Sequence, residues 1–168
     1  MAERAKLADV WSTIPRRSPW RWLAAALALI VAATHAPVTV EHLSEAPYIG
    51  WLFIALEIAS LLLAVLLVIA DYPLVWLATG VVPILAIAAY VLTRSVAVPE
   101  MSDDVGNWAE PLGVVALISE ALLAVIALGP GSRSRPSART GRRLVVPAAV
   151  VLLIGLAATG YATSINAG

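Results

Sequence analysis

Five long apolar stretches divide this chain and limit what it can fold into. They run from Trp22 to about Ala36 and over residues 49–70, 74–93, 112–129 and 144–163. A helix needs about 20 apolar residues to cross roughly 30 Å of hydrocarbon, and all stretches but the first approach or exceed that length. We therefore predict an all-α, polytopic membrane helix bundle of about five transmembrane helices, arranged as one helix and two tandem hairpins.

The composition agrees with membrane spans and leaves little sequence for anything else. Of the 168 residues, 61% are hydrophobic and 13% are charged, whereas a soluble domain usually has about 25% charged residues. We therefore predict a single integral membrane domain over residues 1–168. Residues 1–21 form a basic cytoplasmic N-terminus, 22–129 four spans, 130–143 a basic cytoplasmic loop, and 144–163 the fifth span.

The basic residues predict the orientation. With the N-terminus inside, the inner segments hold every Lys and Arg of the chain except Arg94, as the positive-inside rule requires. The first apolar stretch resembles a signal peptide, but Pro37 would directly follow the cut after Ala36, so we predict a retained span. The expected location is a bacterial plasma (inner) membrane, with a multi-pass chain and a cytoplasmic N-terminus.

Several function classes find no support in the sequence. The chain has no cysteine, which excludes disulfides, thiolate metal sites and iron–sulfur ligation. No nucleotide-binding loop or nucleophile motif occurs, so an enzyme is not the favoured hypothesis. A membrane-embedded enzyme stays open as a third hypothesis, because histidines and acids at the outer mouth could hold a catalytic metal. No aromatic residue interleaves with the arginines of the basic loop, so nucleic acid is not an expected partner. The expected partners are the lipid bilayer and other membrane proteins or further copies of this chain.

The second and fourth apolar stretches share a weak repeat, and each carries one acid. Glu57 follows Gly50 by seven residues, and Glu120 follows Gly113 by the same number. At ~1.5 Å per residue, each acid lies roughly 10–14 Å inside its helix. A charge facing lipid at that depth costs ~2.5–3.5 kcal/mol or more, so we predict that both point inward. They form either a coupled proton or cation site or separate bonds to neighbouring helices.

A second group of polar residues follows the first apolar stretch. If the first helix continues past Pro37, then His35, His42 and Glu45 lie on one face of it. Two imidazoles and a carboxylate are suitable ligands for a divalent metal such as Zn²⁺, Cu²⁺ or Fe²⁺. The alternative is an ordinary polar cap at the outer mouth of the bundle. Both histidines lie on one segment, which argues against haem, because axial ligands approach from opposite faces.

Arg94 is the single basic residue among the predicted outer acids. It lies at the end of the third apolar stretch, from which its side chain can reach an outer carboxylate. We predict an outer ion pair between Arg94 and Glu110, with Glu45 as the other candidate. The loop acids Asp103 and Asp104 lack the remaining ligands of a calcium-binding loop.

Together these features predict a membrane protein of unassigned specific function. The leading hypothesis is an outward-facing polar pocket that binds a proton or metal cation. In that pocket Glu57 and Glu120 form the floor, and His35, His42 and Glu45 form the mouth. The alternative is a non-catalytic accessory subunit of a larger membrane complex. Convergence of the acids and histidines on one cavity favours the pocket, whereas scattered polar residues favour the accessory subunit.

Overall fold

Five long helices make up the bundle. A computed structural model describes residues 18–70, 72–132 and 138–166, and this described part contains no strand. Each long helix contains a stretch long and apolar enough to cross a membrane, as the five apolar segments predict. The helices are α1 Arg21–Glu45, α2 Pro47–Ile69, α3 Pro73–Ser95, α4 Pro111–Ile126 and α5 Ala138–Asn166, with a short 3₁₀ turn at Ser102–Asp104.

Proline marks the start of three of these helices. Pro47, Pro73 and Pro111 each occupy the first position of their helix. A proline there is favourable because its fixed φ already suits the helix and its missing N–H would have no partner in the first turn. The connections before α2 and α3 are also very short.

Helix α1 is longer than the first apolar stretch predicts. The stretch ends at about Ala36, but the helix continues through Pro37 to Glu45. An interior proline costs about 3 kcal/mol because it removes a backbone hydrogen bond and crowds the preceding turn. Helix α1 packs against α2, α4 and α5, and we attribute its continuity to this packing. The continuation places His35 and His42 on the same helix, two turns apart.

Helix α1 also forms the centre of the bundle. Its largest interface is with α2, and this interface is more extensive than those within the pairs α2–α3 and α4–α5. Ala24, Ala25 and Ala28 of α1 are buried, and small residues let neighbouring helices approach closely. The two predicted hairpins are therefore arranged around α1 rather than formed mainly by packing within each hairpin.

The basic loop between the last two helices is shorter than predicted. Helix α4 is followed by a turn, Ala127–Gly131, that is kinked at Gly129, where the backbone is not helical, and α5 begins at Ala138. The predicted loop over residues 130–143 therefore includes the start of α5. Residues 133–137 of this loop, and residues 1–17 of the predicted basic N-terminus, lie outside the described residues.

The two glycines of the sequence repeat both lie where another side chain or helix comes very close. A Cβ atom on Gly50 would lie 2.7 Å from the backbone nitrogen of Leu43 in α1. A Cβ atom on Gly113 would lie 2.7 Å from the ring atom Cε2 of Tyr90 in α3. The repeated glycines thus share a role in close packing, but their neighbours belong to different helices.

Candidate functional site

A cavity of about 580 Å³ lies between helices α1 to α4, at the end of the bundle where α1 ends and α4 begins. Acids line it both at this end and within the bundle. Apolar residues of α2 and α3, among them Leu52 and Leu85, form much of the remaining wall. The acidic lining residues are Glu41, Glu45, Glu100, Asp103, Asp104, Glu110 and Glu120.

His35 directs one ring nitrogen at a carboxylate of another helix. Its Nδ1 lies 2.8 Å from the carbonyl oxygen of Val31. A carbonyl oxygen only accepts, so we assign the ring hydrogen to Nδ1, which donates to it. In the neutral ring Nε2 is then an acceptor, and it lies 3.8 Å from Oε1 of Glu120. That distance is within Coulombic reach but about 1 Å longer than a hydrogen bond.

Glu120 is the most deeply placed acid of the cavity. The residue is 2% exposed, and its Oε1 has no hydrogen-bond partner in the described structure. The small residues Ala116 and Gly113 precede it by about one and two helical turns, and they line the same cavity. Burying a carboxyl oxygen without a partner is costly. At the inner end of the cavity, Oε1 of Glu120 is therefore available to accept a hydrogen bond or to contact a cation.

The predicted metal ligands do not form a metal-binding group. Among the described residues, no group of three or more histidines and acids is arranged to hold a metal ion, and this includes His35, His42 and Glu45. The phenyl ring of Phe53 contacts both imidazoles edge-on, with centroid distances of 5.1 Å and 4.9 Å. His42 Nδ1 lies 2.8 Å from the carbonyl oxygen of Val38. The sequence pattern correctly placed the histidines on one helix, but it could not reveal the apolar ring that both of them contact.

Glu57 and Glu120 have different partners. The hydroxyl of Thr39 donates to Oε1 of Glu57 at 2.5 Å, whereas Glu120 faces His35. Thr39 and His35 are one turn apart on α1, so the two acids reach successive turns of the same helix. Glu57 is not among the residues that line the cavity. The predicted floor of the pocket therefore consists of Glu120 alone, with His35 beside it.

Charged groups from several helices act on the His35 ring. Glu57 from α2, Glu110 from the start of α4, and His42 from α1 influence it electrostatically, in addition to the nearby Glu120.

Arg94 pairs with an acid other than the predicted one. Its Nη1 lies 2.6 Å from Oδ2 of Asp104, and its guanidinium lies 4.8 Å from the centroid of the Tyr90 ring. The backbone nitrogen of Gly106 donates to the Arg94 carbonyl oxygen at 2.9 Å. These contacts fold the loop between α3 and α4 back over the end of α3. The sequence could not identify Asp104, because the path of that loop depends on tertiary contacts.

The predicted partner, Glu110, instead caps a helix. Its carboxylate accepts hydrogen bonds from the backbone nitrogens of Leu112 at 3.0 Å and Gly113 at 2.5 Å. The first backbone N–H groups of a helix have no partner within it, and a carboxylate there also interacts favourably with the helix dipole. Glu45, the other candidate, is exposed at the mouth of the cavity.

Sequence reasoning missed the roles of Thr39, Phe53 and Asp104. Thr39 follows His35 at helical spacing, so this position carried a usable signal once the helix was assumed to cross Pro37. Phe53 carried no comparable signal, because an aromatic residue in an apolar helix is ordinary core composition. Each role depends on which helix faces which, and the local pattern of residues along the chain does not reveal that.

No protein-family model, curated protein or solved structure matches this chain. A function must therefore be inferred from the chemistry of the cavity. That chemistry comprises a buried carboxyl group, an imidazole with one nitrogen anchored, apolar walls and an acidic mouth. Such a set can take up a proton and can stabilise positive charge.

Proposed function

We propose that this chain is a bacterial inner-membrane protein that binds a proton at the floor of an outward-facing polar pocket. The proton site consists of Glu120 on α4 and His35 on α1. The cytoplasmic N-terminus and outward-facing pocket follow from the distribution of Lys and Arg along the chain. The acids at the mouth of the cavity, at the end away from Glu120, raise the local concentration of cations, including protons.

The observation that carries the proposal is the geometry between His35 and Glu120. Because Nδ1 of His35 donates to the Val31 carbonyl oxygen, Nε2 is the nitrogen available to gain or lose a proton. The nearest charged oxygen is Oε1 of Glu120, at 3.8 Å. An approach of about 1 Å would let one proton bridge the two atoms, and functional hydrogen bonds are often long before a ligand binds.

The accessory-subunit hypothesis predicts a different distribution of polar residues. It expects acids and histidines scattered over the bundle, because docking to a larger complex does not need them together. His35, His42, Glu45 and Glu120 all line one cavity instead. This convergence supports the pocket as the functional feature.

Nuclear magnetic resonance of the histidine rings tests the proposal. The chain contains two histidines, so the variant His42→Asn leaves His35 as the source of the imidazole signals. In nitrogen-15-labelled protein, Nδ1 of His35 should stay protonated across the titration while Nε2 gains or loses its proton. Glu120→Gln in the same background should displace the midpoint of that titration.

Glu57→Gln provides the matched comparison. It also removes an acid whose charge acts on His35, but it leaves in place the carboxyl group that lies 3.8 Å from Nε2, so its effect on the midpoint should be smaller. A His35 titration that Glu120→Gln leaves unchanged would overturn the proposed proton site. A ring whose Nδ1 rather than Nε2 titrates would overturn it as well.

A further inference from the structure

We propose that the same cavity binds an amphipathic organic cation, whose charge is held by Glu120 and whose apolar body lies between α2 and α3. This inference rests on the proposed proton site, because the cation would replace the proton there. It adds the chemical class of the ligand, which has a positively charged head attached to an apolar body.

The floor of the cavity supplies the counter-charge. Glu120 is 2% exposed, and its Oε1 has no hydrogen-bond partner among the described residues. The neighbouring His35 imidazole is 3.8 Å from this oxygen and holds its Nδ1 on a backbone carbonyl. A buried carboxylate without a partner is unfavourable, so either a proton or a bound cation lowers its free energy. The site is therefore built to hold one positive charge.

The walls of the cavity suit an apolar body rather than a bare ion. Leu52 and Ala55 of α2 face the cavity together with Leu85 and Ala89 of α3. A pocket of about 580 Å³ falls within the range of roughly 300–1,000 Å³ typical of small-molecule sites. A metal ion would need several convergent ligands, and the described residues offer no such group.

The cavity is also open between α2 and α3. Leu52 is 58% exposed and Leu85 is 63% exposed, although both line the cavity. In a bilayer such exposed positions face the hydrocarbon region, so the apolar part of a ligand can enter from the membrane. An amphipathic cation concentrates at the membrane interface with its head near the polar groups, which is the depth of the acidic mouth.

The mouth selects for positive charge. Glu41, Glu45, Glu100 and Asp103 lie at this end of the cavity. Arg94 also lines it, but its guanidinium is paired with Asp104. The summed field of these groups attracts cations and repels anions. The ring of Phe53 beside His35 and His42 adds an aromatic surface that favours a cationic head.

Binding of the cation should release a proton. The empty site holds one proton between the Nε2 of His35 and the carboxyl group of Glu120. When the cation arrives, the carboxylate becomes its counter-ion, the ring stays neutral, and the proton leaves through the mouth to the solvent. The charge of the site is then the same before and after binding, because one positive charge replaces another.

Tetraphenylphosphonium is the probe for this inference. It is a permanent aromatic cation without an ionisable group, so any proton released on binding must come from the protein. Binding is measured by calorimetry in dodecyl maltoside micelles, which carry no charge, and in buffers of different ionisation enthalpy. Tetraphenylborate, an anion of the same shape, serves as the control ligand.

We expect the wild-type protein to bind tetraphenylphosphonium, to release one proton per cation and to discriminate against tetraphenylborate. Glu120→Gln should weaken binding of the cation about tenfold or more, which corresponds to about 1.4 kcal/mol. Glu57→Gln is the matched control, because it also removes one intramembrane acid but lies outside the cavity lining. Its affinity for the cation should stay close to that of the wild type.

A second variant keeps the test independent of the folding of Glu120→Gln. Ala89→Leu adds bulk at an exposed position of the wall, so it should weaken cation binding without changing the His35 titration.

Phosphatidylcholine added to the micelles identifies the source of the natural ligand. Displacement of the probe indicates a lipid headgroup, whereas unchanged binding indicates a dissolved cation.

Three results would overturn the inference. They are no binding of tetraphenylphosphonium, equal binding of tetraphenylborate, and full binding by correctly folded Glu120→Gln. If the cation does not bind but Glu120→Gln still displaces the His35 titration, the proton site stands and the ligand class is wrong. If the titration is also insensitive to Glu120→Gln, the proposed function itself fails.

Discussion

His35 and Glu120 join the central helix of the bundle to α4, with 3.8 Å between Nε2 and Oε1. One turn further along α1, Thr39 joins the same helix to Glu57 on α2 at 2.5 Å. Two acids that would be costly in lipid thus each face a polar side chain of α1, and of the two it is Glu57 that forms a hydrogen bond to it. The two acids differ in their contact with the cavity, because Glu120 lines it and Glu57 does not.

We expect His35 and Glu120 to be energetically coupled. In a double-mutant cycle with His35→Asn and Glu120→Gln, the free energy of unfolding should be non-additive by about 0.5–3 kcal/mol. Steric trapping in detergent measures this quantity for a membrane helix bundle. The cycle of Glu57→Gln with Glu120→Gln should give a smaller coupling, because the two acids face different side chains of α1, Thr39 and His35. Equal coupling in both cycles would contradict this assignment of partners.

Thr39 should stabilise the α1–α2 interface through its hydroxyl group. Thr39→Val keeps the shape of the side chain but leaves Glu57 without its hydrogen bond, so the free energy of unfolding should fall by about 1–3 kcal/mol. Thr39→Ser retains the hydroxyl group and should recover most of that loss. Equal stability of the valine and serine variants would mean that the bond to Glu57 contributes nothing.

Gly50 should tolerate no side chain. A Cβ atom there would meet the backbone of Leu43 at 2.7 Å, and backbone cannot move aside as a flexible side chain does. Gly50→Ala should therefore lower the free energy of unfolding by about 1–3 kcal/mol, as overpacking does elsewhere. Gly160→Ala is the matched control in α5, where nothing lies within 4 Å of the added atom. Thermal unfolding in detergent should separate the two variants.

Arg94 should be coupled to Asp104 more strongly than to Glu110. Arg94→Met leaves the Asp104 carboxylate without its ion pair, and we expect a loss of about 1–3 kcal/mol in the free energy of unfolding. In double-mutant cycles, Asp104→Asn should show the larger coupling with Arg94→Met. Glu110→Gln should act mainly through the lost cap of α4, which typically costs about 1 kcal/mol. A larger coupling with Glu110 would support the pair predicted from the sequence instead.

The C-terminus should lie outside the cytoplasm. The described residues include five helices that are long and apolar enough to cross a membrane. With the proposed cytoplasmic N-terminus, an odd number of spans places residue 168 on the outer side. An alkaline phosphatase fused after residue 168 should therefore be active, and a fluorescent reporter that folds only in the cytoplasm should stay dark. The opposite pattern would contradict the five-span topology.

The apolar stretches predicted the helices because this information is local. A run of about 20 apolar residues that begins at a proline, as at Pro73, is sufficient to predict a membrane-length helix and its start. Depth within a helix is equally local, so Glu57 and Glu120 could both be predicted to avoid lipid. The contacts between side chains of different helices are not determined by the local sequence. The sequence led to a predicted ion pair between Arg94 and Glu110. In the structure Glu110 instead precedes a helix, and its carboxylate accepts hydrogen bonds from the first N–H groups of that helix.

The sequence by itself determined that this chain forms five long apolar helices, with a few polar groups that must find partners within the bundle. The tertiary structure decided which helix is central and which partners meet. The first apolar stretch is the shortest and is followed by Pro37, yet α1 continues to Glu45 and contacts most of the other helices. Apolar helices are nearly interchangeable in composition, so hydropathy does not distinguish their neighbours. Steric fit at small residues such as Gly50 and the burial of His35, Thr39 and Glu120 select one arrangement.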